Sequence, residues 1–442
     1  MKPPKITVRC RLEPTPDAEA RLRRQAEVWQ AMVARALEVA VARNITGRKR
    51  LHEAVYGELR GRWPEAPSHY AYTAITKARA IWKSFRRRRR QGRTRKARPE
   101  LDARRLRLYL DDAHLWTLEE RDGAYFLRVA VEGARGRDRL EVRLAGTGWL
   151  RRRLGEGFRV KACELVWRDG GLWAHIVLEK PVCAVEVRGL LSVDVNARTV
   201  DAADWARGLY MVLVVGAWLA VRNRYLRTIA VIQRRVGGRK ARRRLRAKYY
   251  GAMNARLRQL LHTCAAWIVR YAAAGGLAMA LENLRYVKEA NRIDVVTRGI
   301  FNRLQAYIAY KAALEGIPVV WVNPRGTSSR CPVCEQAKLK RDGASGAVSC
   351  GACGLRAHRQ RVGAVGVGRR ALQAKAGASP RAGSEPCPAS GIGPMAGRLL
   401  HGEKAVLRLT EKGWVVEADP GGVVASQGLP TRPKSKPSTV RE

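Results

Sequence analysis

Four cysteines, Cys331, Cys334, Cys350 and Cys353, fall in the pattern C-x2-C-x15-C-x2-C. Two thiolate pairs brought together by a loop of this length make a tetrahedral zinc site, and four protein ligands leave no open position for substrate. The expected zinc is therefore structural. An iron–sulfur cluster is the competing use of four thiolates. The remaining cysteines, Cys10, Cys163, Cys183, Cys264 and Cys387, are isolated and read as core or loop residues.

A second pair of residues carries chemistry of another kind. Asp194 lies in the apolar run "LLSVDVN" and Glu282 closes the apolar run "LAMALE". A charged side chain in a buried strand is costly unless it is paired or binds a cation. Two strand-borne carboxylates in a basic protein suggest a divalent-cation site for phosphodiester chemistry. The bland alternative is that each acid ends a strand beside an arginine.

The basic residues cluster. One group is Arg86, Arg87, Arg88, Arg89 and Arg90, followed by Arg93, Arg95 and Lys96. Another is Arg234, Arg235, Arg239, Lys240, Arg242, Arg243 and Arg244. In a chain of 442 residues with 86 Lys and Arg against 38 Asp and Glu, net charge +48, such runs point to a polyanion. Nucleic acid is the natural partner, with these arginines on its phosphates.

The elements that must position these groups follow from periodicity. "ITVRCRL" alternates as a strand. Thr15 and Pro16 then open a helix whose Leu22, Ala26, Trp29, Val33, Leu37 and Val41 recur on one face. A second helix spans about 68–85. From about 101 to 182 the period is two, with "RDG" and "RDGG" at the turns, which predicts a β-rich block completed by the N-terminal strand. After Gly189 come three extended segments, a long helical stretch over 224–273, the strand ending at Glu282, a helix near 298–315, the strand 317–322 and a helix over 358–372. That order is the order of an RNase H-like fold. The apolar run Gly208–Val221 is too short to span a bilayer and reads as a buried strand or hairpin. No secretory signal is visible, so the expected location is cytoplasmic and nucleoid-associated, with no membrane partner. Beyond Leu372 the composition turns to Ala, Gly, Pro and Ser, and a mostly disordered tail is expected over 373–442, with one hairpin-like segment at Ala405–Ala418.

The stretches "LLSVDVN", "LAMALENLRYVK", "YKAALEGIPVVWVNPRGTSSRCPVC" and "CGACGLRAHRQRVGAVGV" resemble successive signatures of the transposon-encoded TnpB proteins, relatives of the type V CRISPR effectors. The resemblance is strong over about 190–372. It implies a multidomain α+β architecture: a β-barrel-like wedge domain (1–14 and 100–188) with an inserted helical recognition domain (15–99), then a RuvC-like RNase H-fold domain (189–328 and 354–372) with an inserted zinc ribbon (329–353). It also implies guide RNA and a double-stranded DNA target as partners, with Mg2+ or Mn2+ at a nuclease site.

That site takes an acid from the first strand, a glutamate from the fourth and an aspartate from the helix after the ribbon. Carried over, the first two fall on Asp194 and Glu282, and the third falls on Gln360. Gly366 stands where many relatives carry Asn. A Gln oxygen brings no charge to a two-cation centre, and loss of such a group typically costs on the order of 10²–10⁴ in rate. The expectation is an RNA-guided DNA-binding protein with impaired cleavage. The alternatives are an active endonuclease in which Asp201 or Asp204 supplies the third carboxylate, and an unguided zinc-ribbon protein that binds nucleic acid.

Overall fold

Two compact units, Met1–Pro181 and Val182–Glu442, make up the computed structural model of the chain. It describes residues 3–101, 106–111, 113–133, 138–168, 170–283, 295–336, 338–343, 346–376, 392–410 and 414–418. Cys387 and the Lys412-Gly413 turn lie outside the described residues.

In the first unit, Val8, Cys10 and Leu12 alternate inward along β1 (Lys5–Glu13), which is the period-two pattern of a half-buried strand. Helix α1 (Pro16–Ala42) starts as its sequence dictates: Thr15 Oγ1 accepts a hydrogen bond from the Ala18 amide at 3.3 Å, and Pro16 occupies the first turn. Next come α2 (Arg48–Arg62), which the periodicity reading did not separate, and α3 (His69–Arg90). Trp29 Nε1 donates to Thr73 Oγ1 at 3.0 Å, tying α1 to α3, and Tyr70 donates to the Ala130 carbonyl at 2.7 Å. The strands β2 (Arg107–Leu110), β3 (Trp116–Arg121), β4 (Ala124–Val131) and β5 (Asp138–Ala145), the short helix α4 (Gly148–Gly155), and β6 (Arg159–Arg168) and β7 (Gly171–Glu179) complete the unit. All pairings are antiparallel in a seven-stranded sheet of order β2-β6-β7-β1-β5-β4-β3. The N-terminal strand completes the β-block as expected, and it sits between β7 and β5. The β3–β4 hairpin turns on Asp122 and Gly123, both at positive φ, the two-residue geometry that matches strand twist.

The boundary between the units falls earlier than composition suggests. Residues 182–188 bond within the second unit, where the Val185 amide donates to the Gly316 carbonyl at 3.2 Å and Arg188 to that of Gly276 at 2.8 Å.

The second unit is built on β8 (Gly189–Val195), β9 (Thr199–Asp204) and β10 (Leu209–Val214), then α5 (Ala217–Arg235), α6 (Arg239–Ala274), β11 (Leu277–Glu282), α7 (Val295–Leu314) and β12 (Val319–Val322). The apolar run after Gly208 is thus divided. Its first half is β10, and its second half opens α5, where Trp218 and Val221 are buried. The ribbon strands β13 (Lys340–Asp342), β14 (Ala347–Ser349) and β15 (Arg356–His358) form a separate three-stranded sheet and lead into α8 (Arg359–Ala376). Then α9 (Ile392–His401), β16 (Lys404–Leu409) and β17 (Trp414–Ala418) follow.

The order β12-β11-β8-β9-β10-β16-β17 has β8, β9 and β10 antiparallel in sequence, with β11 and β12 parallel on the far side of β8, the arrangement of an RNase H-like sheet. Here it is two strands wider. Within the expected, mostly disordered tail, the hairpin-like segment does form and also packs: β16 pairs parallel with β10 from Tyr210↔Lys404 to Val214↔Arg408, and β17 returns antiparallel to β16. Alternating Ala405, Leu407 and Leu409 point into the core, so the strand is held by burial as well as by its ladder. One face of the sheet (Leu191, Val193, Val200, Ala202, Met279) packs with Trp267, Ile268 and Leu304 of α6 and α7. The other (Leu190, Ala203, Ala278, Ala280) packs with Val362 and Val365 of α8, Leu399 of α9 and the ribbon.

Candidate nuclease-type carboxylate site and zinc ribbon

Strand alternation decides which acids can meet. Asp194 and Asp201 are direct cross-strand partners on β8 and β9. Both lie on the α8 face, in phase with Ala203 and Leu190. Glu282 ends β11 one step beyond the Leu281↔Val193 pair, on the same face as Ala278 and Ala280. Asp204 is three residues past Asp201 and so faces the other way. There it accepts from Tyr271 Oη at 2.9 Å, from Arg207 Nη1 at 3.2 Å, and from the amides of Ala206 and Arg207. Asp204 is a structural cap and not a substitute ligand.

Asp201 is on the right face but fully engaged. Tyr210 Oη donates to its Oδ1, while Thr199 Oγ1 at 2.6 Å and Asn196 Nδ2 at 3.1 Å donate to its Oδ2. Asn196 Nδ2 is also 3.1 Å from Asp194 Oδ2, so one amide bridges the two carboxylates. Burial, then the charges of Glu282 and Asp201, push the Asp194 carboxyl well above its usual range, against the opposing Asn196 hydrogen bond. Burial also raises Glu282, opposed by the Thr327 hydroxyl at 2.5 Å and by the charge of Arg370. Burial thus disfavours the charged form of both carboxyls.

Helix α8 closes over this face through glycines. A Cβ on Gly363 would meet Asp194 Oδ2 at 2.6 Å, and one on Gly366 would meet the Thr327 carbonyl oxygen at 2.1 Å. Gln360, half-buried in the first turn, lies one turn before Gly363 on the same side of α8. This face thus offers two carboxylates and, at Gln360, an uncharged amide. They do not supply the third carboxylate of a two-cation centre. Sequence reasoning placed Gly363 among the small residues that let this helix face approach the sheet, and it missed Asn196, Tyr210 and Thr327. Only Asn196, two residues from Asp194 in "VDVN", carried a local signal.

The four cysteine sulfurs lie within 4.8 Å of one another, with Cys331–Cys353 and Cys334–Cys350 each at 3.6 Å. A tetrahedral zinc with bonds of ~2.3 Å needs sulfurs roughly 3.8 Å apart, so the donor set fits. The residue after each second cysteine, Glu335 and Gly354, takes positive φ. Their amides donate to the Cys331 and Cys350 carbonyls, at 3.1 and 3.0 Å, which folds each pair into a tight knuckle.

Of the basic runs, Arg87–Arg90, Arg93 and Arg95 are exposed at and beyond the end of α3, with Arg86 half-buried over Trp82, and Lys96 pairs with Glu100 at 2.5 Å. Arg234, Arg235, Arg239, Lys240 and Arg242–Arg244 are exposed about the α5–α6 turn. A groove of about 590 Å³ there is lined by Gln233, Arg239, Arg242, Arg243, Arg246 and Tyr250. The sequence holds no acid between Asp204 and Glu282, so nothing in either helix neutralises it. No helix among the described residues is long and apolar enough to cross a membrane.

Comparison with known proteins adds three findings. The Cas12f1-like TNB domain family matches residues 301–367, the stretch from α7 through the ribbon into α8, and an uncharacterized MJ0013 family matches residues 26–123. The TnpB-like protein MJ0751 of Methanocaldococcus jannaschii is 31% identical over 117 residues, which is 25% of this chain and 41% of that protein. The match therefore spans about two fifths of the relative's length. Among solved structures, a Cas12f1 chain from an sgRNA–target DNA complex superposes with a TM-score of 0.53 at 12% identity, covering 71% of this chain and 74% of that one. The mini-RNA-guided endonuclease CRISPR-Cas_phi3 does so with a TM-score of 0.52 at 9% identity, covering 87% and 94%. At such identities the superpositions speak to the fold. The ribbon match, the curated relative and the shared fold converge on TnpB-like and Cas12f1-like proteins as what this chain resembles.

Proposed function

We propose that the protein binds guide RNA and uses it to occupy matching double-stranded DNA, with strand cleavage impaired. The observation that carries the second half is Gln360. It lies one turn before Gly363, the α8 position that meets Asp194, at the place where the family supplies an aspartate, and neither nearby acid replaces it. Asp204 faces α6, and both oxygens of Asp201 are already hydrogen-bonded. Asp194 and Glu282 would hold one Mg2+ or Mn2+, whose role in such a site is to neutralise charge developing on a phosphodiester. Four cysteines would hold a structural zinc that sets the ribbon and hence the start of α8.

The first half is supported by charge. The acid-free α5–α6 hairpin and the arginines ending α3 present unneutralised guanidinium groups of the kind that bind phosphates. In guided recognition, base pairing supplies the sequence specificity and the protein supplies backbone contacts. The test is reconstitution of protein, co-purified RNA and a duplex matched to that RNA. Guide-dependent binding with background scission in Mg2+ or Mn2+ is expected. Robust scission by the unaltered protein, abolished by Asp194→Ala, would overturn the impaired-nuclease reading. Sequence preference that survives removal of all RNA would overturn the guided one.

A further inference from the structure

Arg361, the neighbour of Gln360, is a half-buried cation that none of the chemistry above uses. Its Nε donates to the Leu399 carbonyl and its Nη2 to that of Gly402, each at 2.7 Å. Leu399 lies in the last turn of α9, where helical carbonyls have no partner of their own, and a guanidinium fork can satisfy two such groups at once. The same guanidinium lies over the ring of Tyr210, 4.6 Å from its centroid. Tyr210 in turn donates to Asp201, which shares the amide of Asn196 with Asp194. Tyr210 also marks the start of the β10–β16 pairing, opposite Lys404.

We infer that Arg361 is a positioning residue, the strut through which the C-terminal segment Ile392–Ala418 fixes the Asp194 carboxylate for cation binding. This rests on the reading of Asp194 and Glu282 as a cation site. The influence is mechanical. A phenol ring, a carboxylate and an amide stand between the guanidinium and Asp194, and each is held by a directional bond. Burial, reinforced by Asp201, raises the Tyr210 phenol so that it keeps its proton and remains an obligatory donor. The fork, and not the charge alone, is what bridges two carbonyls, so lysine does not replace it.

The experiment uses the full chain and Mn2+ alone, with affinity read by electron paramagnetic resonance and amide hydrogen exchange followed in parallel. Arg361→Gln, Arg361→Lys and Tyr210→Phe are each expected to weaken Mn2+ binding about tenfold, the lower end for residues that orient metal ligands. Exchange should rise over residues 196–201 and leave α7 unchanged. Asp194→Ala should abolish binding. If Arg361→Lys and Tyr210→Phe bind Mn2+ as the unaltered protein does while Asp194→Ala does not, the strut is wrong and the cation site stands. If Asp194→Ala leaves Mn2+ binding intact, the cation site itself is wrong. Unchanged exchange over 196–201 in Arg361→Gln overturns the strut whatever the Mn2+ result. Should Arg361→Gln fail to fold, Tyr210→Phe decides, because it removes one hydroxyl and keeps the ring.

Discussion

Asp194 and Asp201 face one another across β8 and β9, and the single amide of Asn196 lies 3.1 Å from an oxygen of each. The bridge lets two carboxylates share a buried face without a cation, but Asn196 neutralises neither. The Asp194 carboxyl is accordingly raised, first by burial and then by Glu282 and Asp201. A carboxyl raised in the folded state favours folding while protonated, and that contribution is lost as pH climbs through the folded pKa. Asp194→Asn should therefore raise the melting temperature at neutral pH by roughly 2–4 °C. The gain should vanish below the unfolded carboxyl range. Calorimetry across pH checks it, and a stabilisation that grows toward acid would contradict the assigned direction.

Gln360→Asp restores charge on the α8 face with a side chain one methylene shorter. Some Mg2+- or Mn2+-dependent cleavage of guide-matched duplex should return, by about 10²-fold or more over background if the third carboxylate is the main deficit. Strand-scission assays of the reconstituted complex check this. No recovery with binding intact would mean that other drifted positions also matter.

Gly366 is one such position. The obstacle to a side chain there is the Thr327 carbonyl, a backbone atom that cannot swing aside. Gly366→Ala should cost about 1–3 kcal/mol of stability and Gly366→Asn more. Thr327 also donates to Glu282, so divalent-cation affinity should fall with stability in these variants. Denaturant titration with and without Mn2+ measures both.

One zinc per chain is expected by elemental analysis of the purified protein. Cys350→Ser should release it and raise hydrogen exchange in the ribbon and the first turn of α8, while the first unit's sheet stays protected. A well-folded, zinc-free native protein would sink the assignment, and iron with sulfide in its place would redirect it.

The α5–α6 hairpin predicts a steep salt dependence of nucleic-acid affinity. Replacing Arg239, Arg242, Arg243 and Arg246 together by Gln should lower the slope of log K against log salt by roughly 3–4, if each contacts one phosphate. Fluorescence anisotropy with a short RNA, repeated at several salt concentrations, reads the slope directly. An unchanged slope would remove this groove from the interface.

Local sequence determined a good deal of this protein. The cysteine spacing, the Thr15-Pro16 helix start, the period-two strands and the charge runs are each specified within a few residues, and all stand in the fold. So does the placement of Asp194 and Glu282 in neighbouring strands, because an acid inside an apolar run is conspicuous. Other features were not legible because they depend on partners far apart in the chain. The hairpin of Ala405–Ala418 could be read locally, but not that its first strand widens the sheet through a parallel ladder with β10 nearly two hundred residues upstream. Nothing near Asp201 or Asp204 says which can reach Asp194. The two are three residues apart on one strand, and sheet alternation sends them to opposite faces, one toward α8 and the other to Tyr271 of α6. Arg361 reads as one more surface cation until the fold places Tyr210 beneath it and the end of α9 against it. Sequence specifies what each strand and helix buries, and only their packing decides which polar groups then meet.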